Sequence, residues 1–315
     1  IKIEHCGICG SDIHYYEAGR IGDFVVEKPM VLGHEAAGRV VKAGQNVKHI
    51  QVGDPVAVEP GYTCGKCEFC KSGRYNLCPD VVFLATPPYD GAFAEYLCYP
   101  ADWVYRLPDE MDTVEGALLE PFCVGLHAVN QSGARMGQTA AVLGSGCIGL
   151  CTLLALSAAG VREVYVADVI GKRLDMAREL GAYRTIDAGK EDTVERIMAL
   201  TGGRGVDLVF ETAGSEVTAR QTAEIVARGG EITLVGMSAN PVFTYDFGRL
   251  QNKEAQIRTV FRYRNLYPAA IRIVKECGLP LKKIVTNYYT FEETEKAMED
   301  SIHQKREMVK TVIRF

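Results

Sequence analysis

Two groups of side chains in the first half of this chain are of types that bind a metal ion. Cys64, Cys67, Cys70 and Cys78 fall within fifteen residues. The two-residue gaps wrap the backbone around an ion, and the seven-residue gap brings Cys78 back to close the cage. Thiolate sulfur is a soft ligand, and four of them at about 2.3 Å complete the tetrahedron of Zn²⁺. Such a cage has no open coordination position, so it organises structure and leaves the chemistry to another site. A disulfide pair or scattered core thiols fit less well, because no export leader is expected and the other cysteines show no framework spacing.

The second group is Cys9, in Cys6-Gly-Ile-Cys9-Gly-Ser-Asp-Ile-His14, and His34-Glu35, in Gly33-His-Glu-Ala-Ala-Gly38. One thiolate, one imidazole and one carboxylate from separate segments leave a fourth position for water or a substrate oxygen. Zn²⁺ there would act as a Lewis acid on an alcohol, whose C–H bond then becomes a good hydride donor. The neighbouring glycines are expected to give metal and substrate room beside the backbone. Taken singly, each residue also reads as a small buried thiol, a core histidine or a surface carboxylate, and spacing alone leaves those readings open.

A hydride needs an acceptor, and Gly144-Ser-Gly146-Cys-Ile-Gly149 supplies a place for one. It stands between a strand-like run ending at Leu143 and a helical run, the context in which this pattern binds a dinucleotide. Gly144 permits the turn, Gly146 lets a pyrophosphate approach the backbone, and Gly149 lets helix and strand pack. The helix N-terminus offers its N–H groups to the phosphates. Asp168 ends the next strand and is placed to accept both ribose hydroxyls, which favours NAD over NADP. Against this stand the reading of Asp168 as a helix N-cap and the cation of Arg173, which reads equally as a solvated residue or an adenosine contact.

These residues need elements to hold them. The first ~120 residues carry short β-like runs (Ala37–Val41, Asp54–Val58, Phe93–Leu97) between turn residues. From Gly137 the texture alternates. Strands are expected at Thr139–Leu143, Glu163–Ala167, Val206–Phe210 and Glu231–Val235, with helices at 147–159, 172–180, 194–200 and 217–227. That order implies βαβ units and a parallel sheet. Past Arg258 the alternation fades, and Lys310–Phe315 reads as a closing strand; one reading of this tail adds a helix and a strand to the same sheet. With 315 residues there is room for two domains. A net charge of −5 gives no footprint for nucleic acid, and no apolar run reaches the ~20 residues of a membrane span. Many cysteines without an export signal point to a reducing cytoplasm. The opening Ile1-Lys-Ile-Glu4 reads like the middle of a strand, so N-terminal residues are expected to be missing.

The strings Cys9-Gly-Ser-Asp-Ile-His-Tyr-Tyr16, Gly33-His-Glu-x-x-Gly38, Gly73-Arg-Tyr-Asn-Leu77, Phe83-Leu-Ala-Thr-Pro-Pro88, Asp90-Gly-Ala-Phe93, Glu120-Pro-Phe-Cys-Val-Gly125 and Val260-Phe-Arg-Tyr263, with the Cys₄ lobe, carry a family resemblance. Over essentially its whole length the chain resembles the zinc-dependent medium-chain dehydrogenases, and within them the polyol branch of sorbitol and xylitol dehydrogenases. The resemblance implies an α/β fold, a Rossmann-type doubly wound parallel sheet inserted into a β-rich, GroES-like catalytic domain. Residues 1–122 and 260–315 would form the catalytic domain and 123–259 the NAD-binding domain, with the active site in the cleft.

The same resemblance implies catalytic zinc at Cys9 and His34, with Glu35 a direct or water-bridged ligand and Glu120 at the metal too, either ligating it intermittently or hydrogen-bonding the metal-bound water. It places Ser11, Tyr15, Phe83, Thr86, Glu120, Arg262 and Tyr263 around the polyol. Ser11 and His14 would relay the alcohol proton, with bound water an equal contender. Ile148, Arg173, Val235, Gly236, Val260, Phe261 and Arg262 would join Gly144, Gly146, Gly149 and Asp168 at the cofactor. A homotetramer, and reversible oxidation of a sugar alcohol to the ketose, are further implications. A threonine, butanediol or simple secondary-alcohol dehydrogenase shares the metal residues, and a non-catalytic NAD-binding protein shares the scaffold. His5, His49, His127 and His303 are expected to be structural or surface residues.

Overall fold

The computed structural model describes residues 1–238 and 242–315. The chain divides into two units, Ile1–Pro121 with Arg264–Phe315, and Phe122–Tyr263. Each is built on a six-stranded sheet.

In the first unit the sheet runs Val285–Thr290, Lys310–Arg314, Lys2–Ile8, Glu35–Arg39, Pro55–Val58, Val104–Arg106. Lys2–Ile8 lies inside it, antiparallel to both neighbours. The C-terminal strand therefore completes this sheet and does not extend the parallel one, which settles the two readings of the tail. Ile3, Cys6, Ala36, Val58, Leu84 and Ala92 form one apolar cluster beneath it, and Ile8, Ile13, Ala297, Met298 and Ile313 another. The strand expected at Phe93–Leu97 does not form. Its backbone is spent piecemeal: Phe93 N–H donates to the Leu32 carbonyl, Leu97 N–H to Ile1, and Glu95 accepts from Ile3 N–H. Only a single bridge, Lys2 to Tyr96, remains of a ladder.

Where Pro55–Val58 ends, Glu59 is buried and accepts hydrogen bonds from the hydroxyls of Tyr75 (2.5 Å) and Tyr105 (2.9 Å). Tyr75 in turn accepts from the Asn265 N–H at 2.6 Å, so the cysteine-rich lobe is fastened to the chain just past Arg264. Burial raises the Glu59 carboxyl to about 7, although both hydroxyls favour its anion. A carboxyl raised in the folded state binds more protons there than when unfolded. Stability falls as pH rises from the ordinary carboxylate range, and the loss is complete above the folded value. Between pH 4.5 and 7.5 the native protein should lose roughly 3 kcal/mol that Glu59→Gln does not lose. Denaturant melts of both proteins across that range check this; parallel pH curves would count against it.

The second unit's sheet is parallel throughout and runs Arg184–Asp187, Glu163–Asp168, Thr139–Leu143, Val206–Glu211, Val226–Leu234, Gln256–Thr259. Its order reverses beside Thr139–Leu143, the switch point at which a doubly wound sheet receives its ligand. Ala141, Leu143, Tyr165, Val209, Ile225 and Ile232 pack in its core, with helices Cys147–Ala158, Gly171–Glu179, Thr193–Leu200 and Glu216–Ile225 between the strands. Two strands went unread in the sequence. Arg184–Asp187 and Gln256–Thr259 are the sheet's edges, and each carries one aliphatic residue, so no apolar run marks them. The segment 226–227, expected to finish a helix, opens the strand Val226–Leu234. Among the described residues no helix is long and apolar enough to cross a membrane.

Candidate metal and dinucleotide sites

Cys9 is the N-cap of helix Gly10–Ala18, and its sulfur accepts the Asp12 N–H while Asp12 Oδ2 accepts the Cys9 N–H at 2.9 Å. This reciprocal cap makes the turn that presents the thiol. Asp12 is fully buried, and its other oxygen accepts the Gly33 N–H at 2.9 Å. His34 follows, with Nδ1 3.6 Å from Asp12 Oδ1. A carboxylate at one ring nitrogen fixes the imidazole and leaves the other as a ligand. Glu35 then opens strand Glu35–Arg39. Ligand atoms of Cys9, His34 and Glu35 all lie within 4.8 Å of one another.

The electrostatics favour a cation here. Burial alone would push the Asp12 carboxyl up, but His34 and the N–H groups of Cys9 and Gly33 more than reverse this and hold it low. Burial opposes charge on His34, while the Asp12 carboxylate and the Cys9 sulfur outweigh it and raise the ring well above its ordinary value. A soft sulfur, a nitrogen and an oxygen converging in this way suit Zn²⁺ with a position left open.

Asp12 went unread as a site residue. The signal was present, because an acid three residues after Cys9 is the spacing of a capping box. Gly33, expected to clear space for metal and substrate, has a different reason to be glycine. It takes φ +88°, and a Cβ there would stand 2.5 Å from the Phe93 ring.

The other expected residues fall in several places. Ser11, His14 and Tyr15 lie on the helix that Cys9 caps. The Phe83 ring stands 5.7 Å from that of His34, and Thr86 lies in the turn that follows, its N–H bonded to the Phe83 carbonyl. Glu120 is buried in helix Thr113–Ser132, but is not among the carboxylates within 4.8 Å of the whole ligand set. Arg262 and Tyr263 belong to the second unit. Arg262 takes φ +55° and sets its guanidinium over the Phe261 ring at 4.9 Å. Of the remaining histidines, His5 bonds Thr113, His49 the Ala101 carbonyl, and His303 pairs with Glu299.

In the cysteine lobe the sulfurs of Cys64, Cys67, Cys70 and Cys78 converge, with separations of 3.4 Å (67–70), 3.6 Å (64–78) and 3.9 Å (64–70). A tetrahedron with Zn–S bonds of about 2.3 Å has edges of about 3.8 Å, so the cage has the size of that ion. Backbone N–H groups of Cys67 and Cys70 point at the sulfurs of Cys64 and Cys67, both at 3.4 Å. N–H groups of Lys66 and Cys67 bring the Cys64 thiol down to about 7, toward the thiolate that a metal requires. Burial raises Cys78 to about 12, the cost that a bound cation would offset.

The residues expected at the dinucleotide gather at the C-terminal ends of the parallel strands. Gly144 and Gly146 are partly exposed in the turn after Thr139–Leu143; Ile148, also partly exposed, and buried Gly149 stand in the first turn of helix Cys147–Ala158. Asp168 accepts hydrogen bonds from Ser145 N–H (2.7 Å), Ser145 hydroxyl (3.1 Å) and Ile170 N–H (2.9 Å). It thus ties the glycine turn to the next strand, and the helix cap is Ile170. Arg173 stands over the turn, its Nη1 3.9 Å from where a Gly146 Cβ would be. Val235 and Gly236 N–H groups both donate to the Glu211 carbonyl, and Val260 N–H to Leu234, so these three sit at the C-terminal ends of the strands. Exposed Phe261 follows Val260.

Residues 1–109 match the alcohol dehydrogenase GroES-like domain, and residues 147–276 the zinc-binding dehydrogenase domain. The chain is 43% identical over 99% of its length to a sorbitol dehydrogenase of Bacillus subtilis, covering 89% of that protein. The chain is a zinc-dependent medium-chain dehydrogenase of the polyol branch. Solved structures agree with this family. An Escherichia coli oxidoreductase of unknown specificity superposes with a TM-score of 0.96 at 45% identity, covering all of this chain and 90% of that one. The 2R,3R-butanediol dehydrogenase of Bacillus subtilis does so at 0.91 and 34%, covering 100% and 91%. This dehydrogenase is therefore an oxidoreductase acting on a small alcohol or polyol with zinc and a nicotinamide cofactor.

Proposed function

We propose that this chain oxidises a secondary hydroxyl of a four- to six-carbon sugar alcohol to the ketose, reversibly, with NAD⁺ as hydride acceptor. The observation that carries it is the convergence of Cys9, His34 and Glu35, oriented by buried Asp12, in a chain 43% identical to a sorbitol dehydrogenase. Those residues would hold a zinc ion that supplies Lewis acidity to the alcohol oxygen. Glu120 would act beside it through water. Ser11 and His14 would carry the alcohol proton outward. Ser11, Tyr15, Phe83, Thr86, Arg262 and Tyr263 would bind the polyol, which needs several polar partners where a simple alcohol needs an apolar slot. Asp168 beside the glycine turn would repel a 2′-phosphate, which favours NAD⁺ despite Arg173. Cys64, Cys67, Cys70 and Cys78 would hold a second, structural zinc. Residues 1–122 with 260–315 and 123–259 are proposed as the catalytic and coenzyme domains. A cytoplasmic homotetramer rests on the resemblance alone.

The likeness to butanediol dehydrogenase supports a second reading, a simple secondary alcohol as substrate, at the lower identity of 34%. Assays with sorbitol, xylitol, arabitol, butanediol and threonine, each with NAD⁺ and NADP⁺, decide between them. At least one polyol should exceed butanediol and threonine by roughly tenfold or more in kcat/KM, with NAD⁺ the better acceptor. No reduction of NAD⁺ by any polyol with zinc-replete protein would sink the proposal.

A further inference from the structure

The cysteine lobe and the edge strand Val104–Arg106 border a cleft of ≈ 470 Å³, lined chiefly by Thr63, Tyr75, Asp102, Trp103, Tyr105 and Asn265. None of these residues is among those expected at the metal, the polyol or the cofactor. Trp103 is the only tryptophan of the chain. Its ring meets that of Tyr75 at 84°, with centroids 5.0 Å apart, so the two form a corner. The Tyr105 ring is held by its stack on Tyr267 at 5.2 Å. The hydroxyls of Tyr75 and Tyr105 both donate to the buried Glu59 carboxylate. Donation to an anion fixes both rings and returns electron density to them. Rings so placed attract a cation to their faces through the quadrupole.

The polar groups of the cleft decide the sign of its ligand. Asp102 is exposed there and forms no salt bridge among the described residues. No lysine or arginine lines the cleft. Three donors are already engaged, the two phenols with Glu59 and Asn265 Nδ2 with the Gly73 carbonyl at 2.7 Å. A neutral sugar would need those donors, and an anion would meet the carboxylates of Asp102 and Glu59. We propose that this cleft binds a small methylated ammonium cation, with its methyl groups against Trp103 and Tyr75 and its charge toward Asp102. A quaternary ammonium has no N–H to satisfy, so ring faces and one carboxylate suffice to hold it. The bound cation touches the lobe through Thr63 and Tyr75 and the edge strand through Trp103 and Tyr105, and braces the one against the other.

As the sole tryptophan, Trp103 reports on its own cleft. Its emission in the full chain, supplied with zinc, is followed while tetramethylammonium chloride replaces sodium chloride at constant ionic strength. Burial raises the Glu59 carboxyl to about 7, so the titration is run at about pH 8.5, where that group is charged. A saturable change with a dissociation constant of roughly 1–10 mM is expected. tert-Butanol has nearly the same shape but no charge and cannot be oxidised to a ketone; it should bind at least about tenfold more weakly. Asp102→Asn, at an exposed position, should weaken the cation by about three- to fivefold. Trp103→Leu should abolish binding, read by saturation transfer to the methyl protons of the ligand. Should the leucine variant not fold, the native and Asp102→Asn titrations decide. No saturation below about 100 mM overturns the proposal. So does an equal response to tert-butanol, an affinity unmoved by Asp102→Asn, or saturation transfer that persists in folded Trp103→Leu.

Discussion

Cys9→Ser is expected to lower kcat/KM by about 10³ or more and to reduce bound zinc from two equivalents to one. Serine is close in size and is a preferred N-cap, so it keeps the reciprocal bonds with Asp12 that begin helix Gly10–Ala18. What it loses is the soft thiolate, and with it several kcal/mol of charge stabilisation that the metal would supply. The dinucleotide residues lie in the other unit, so the NAD⁺ dissociation constant should stay near the native value. Polyol oxidation within tenfold of native, with one zinc per chain, would mean that the chemistry does not depend on this thiol.

Gly149→Ala tests the other half of the reaction. The new Cβ would overlap the Gly144 carbonyl oxygen and stand 2.9 Å from Thr212 Oγ1, which itself donates to that carbonyl at 2.7 Å. Backbone cannot yield as a flexible side chain does, so helix Cys147–Ala158 must back away from the turn. Overpacking of this kind costs about 1–3 kcal/mol. If that falls on the bound geometry of the turn, NAD⁺ affinity drops about ten- to a hundredfold, while zinc content remains native. Titration of cofactor fluorescence reads this out, and a dissociation constant within twofold of native would show that the turn adjusts without loss.

The parallel sheet was legible because its central strands are largely buried and read as apolar runs, Ala140–Leu143 and Leu208–Phe210 among them. Its edges Arg184–Asp187 and Gln256–Thr259 escaped notice for the same reason in reverse, since a half-solvated edge needs no such run. The cysteine lobe was legible because four thiols close together in the chain converge almost by spacing alone. Cys9, His34 and Glu35 were not, because a strand and two loops had to bring them together, and the long family strings supplied what spacing could not. Phe93–Leu97 had the composition of a strand, but the competing demands of Ile1, Ile3 and Leu32 broke its ladder.

Asp12 has a consequence for motion as well as for charge. Its two oxygens hold the amide protons of Cys9 and Gly33, residues that belong to different loops. Neither amide can be released without disturbing the carboxylate that restrains the other. The two segments that carry the thiol and the imidazole are therefore restrained through one side chain, and removing that carboxylate would loosen both at once.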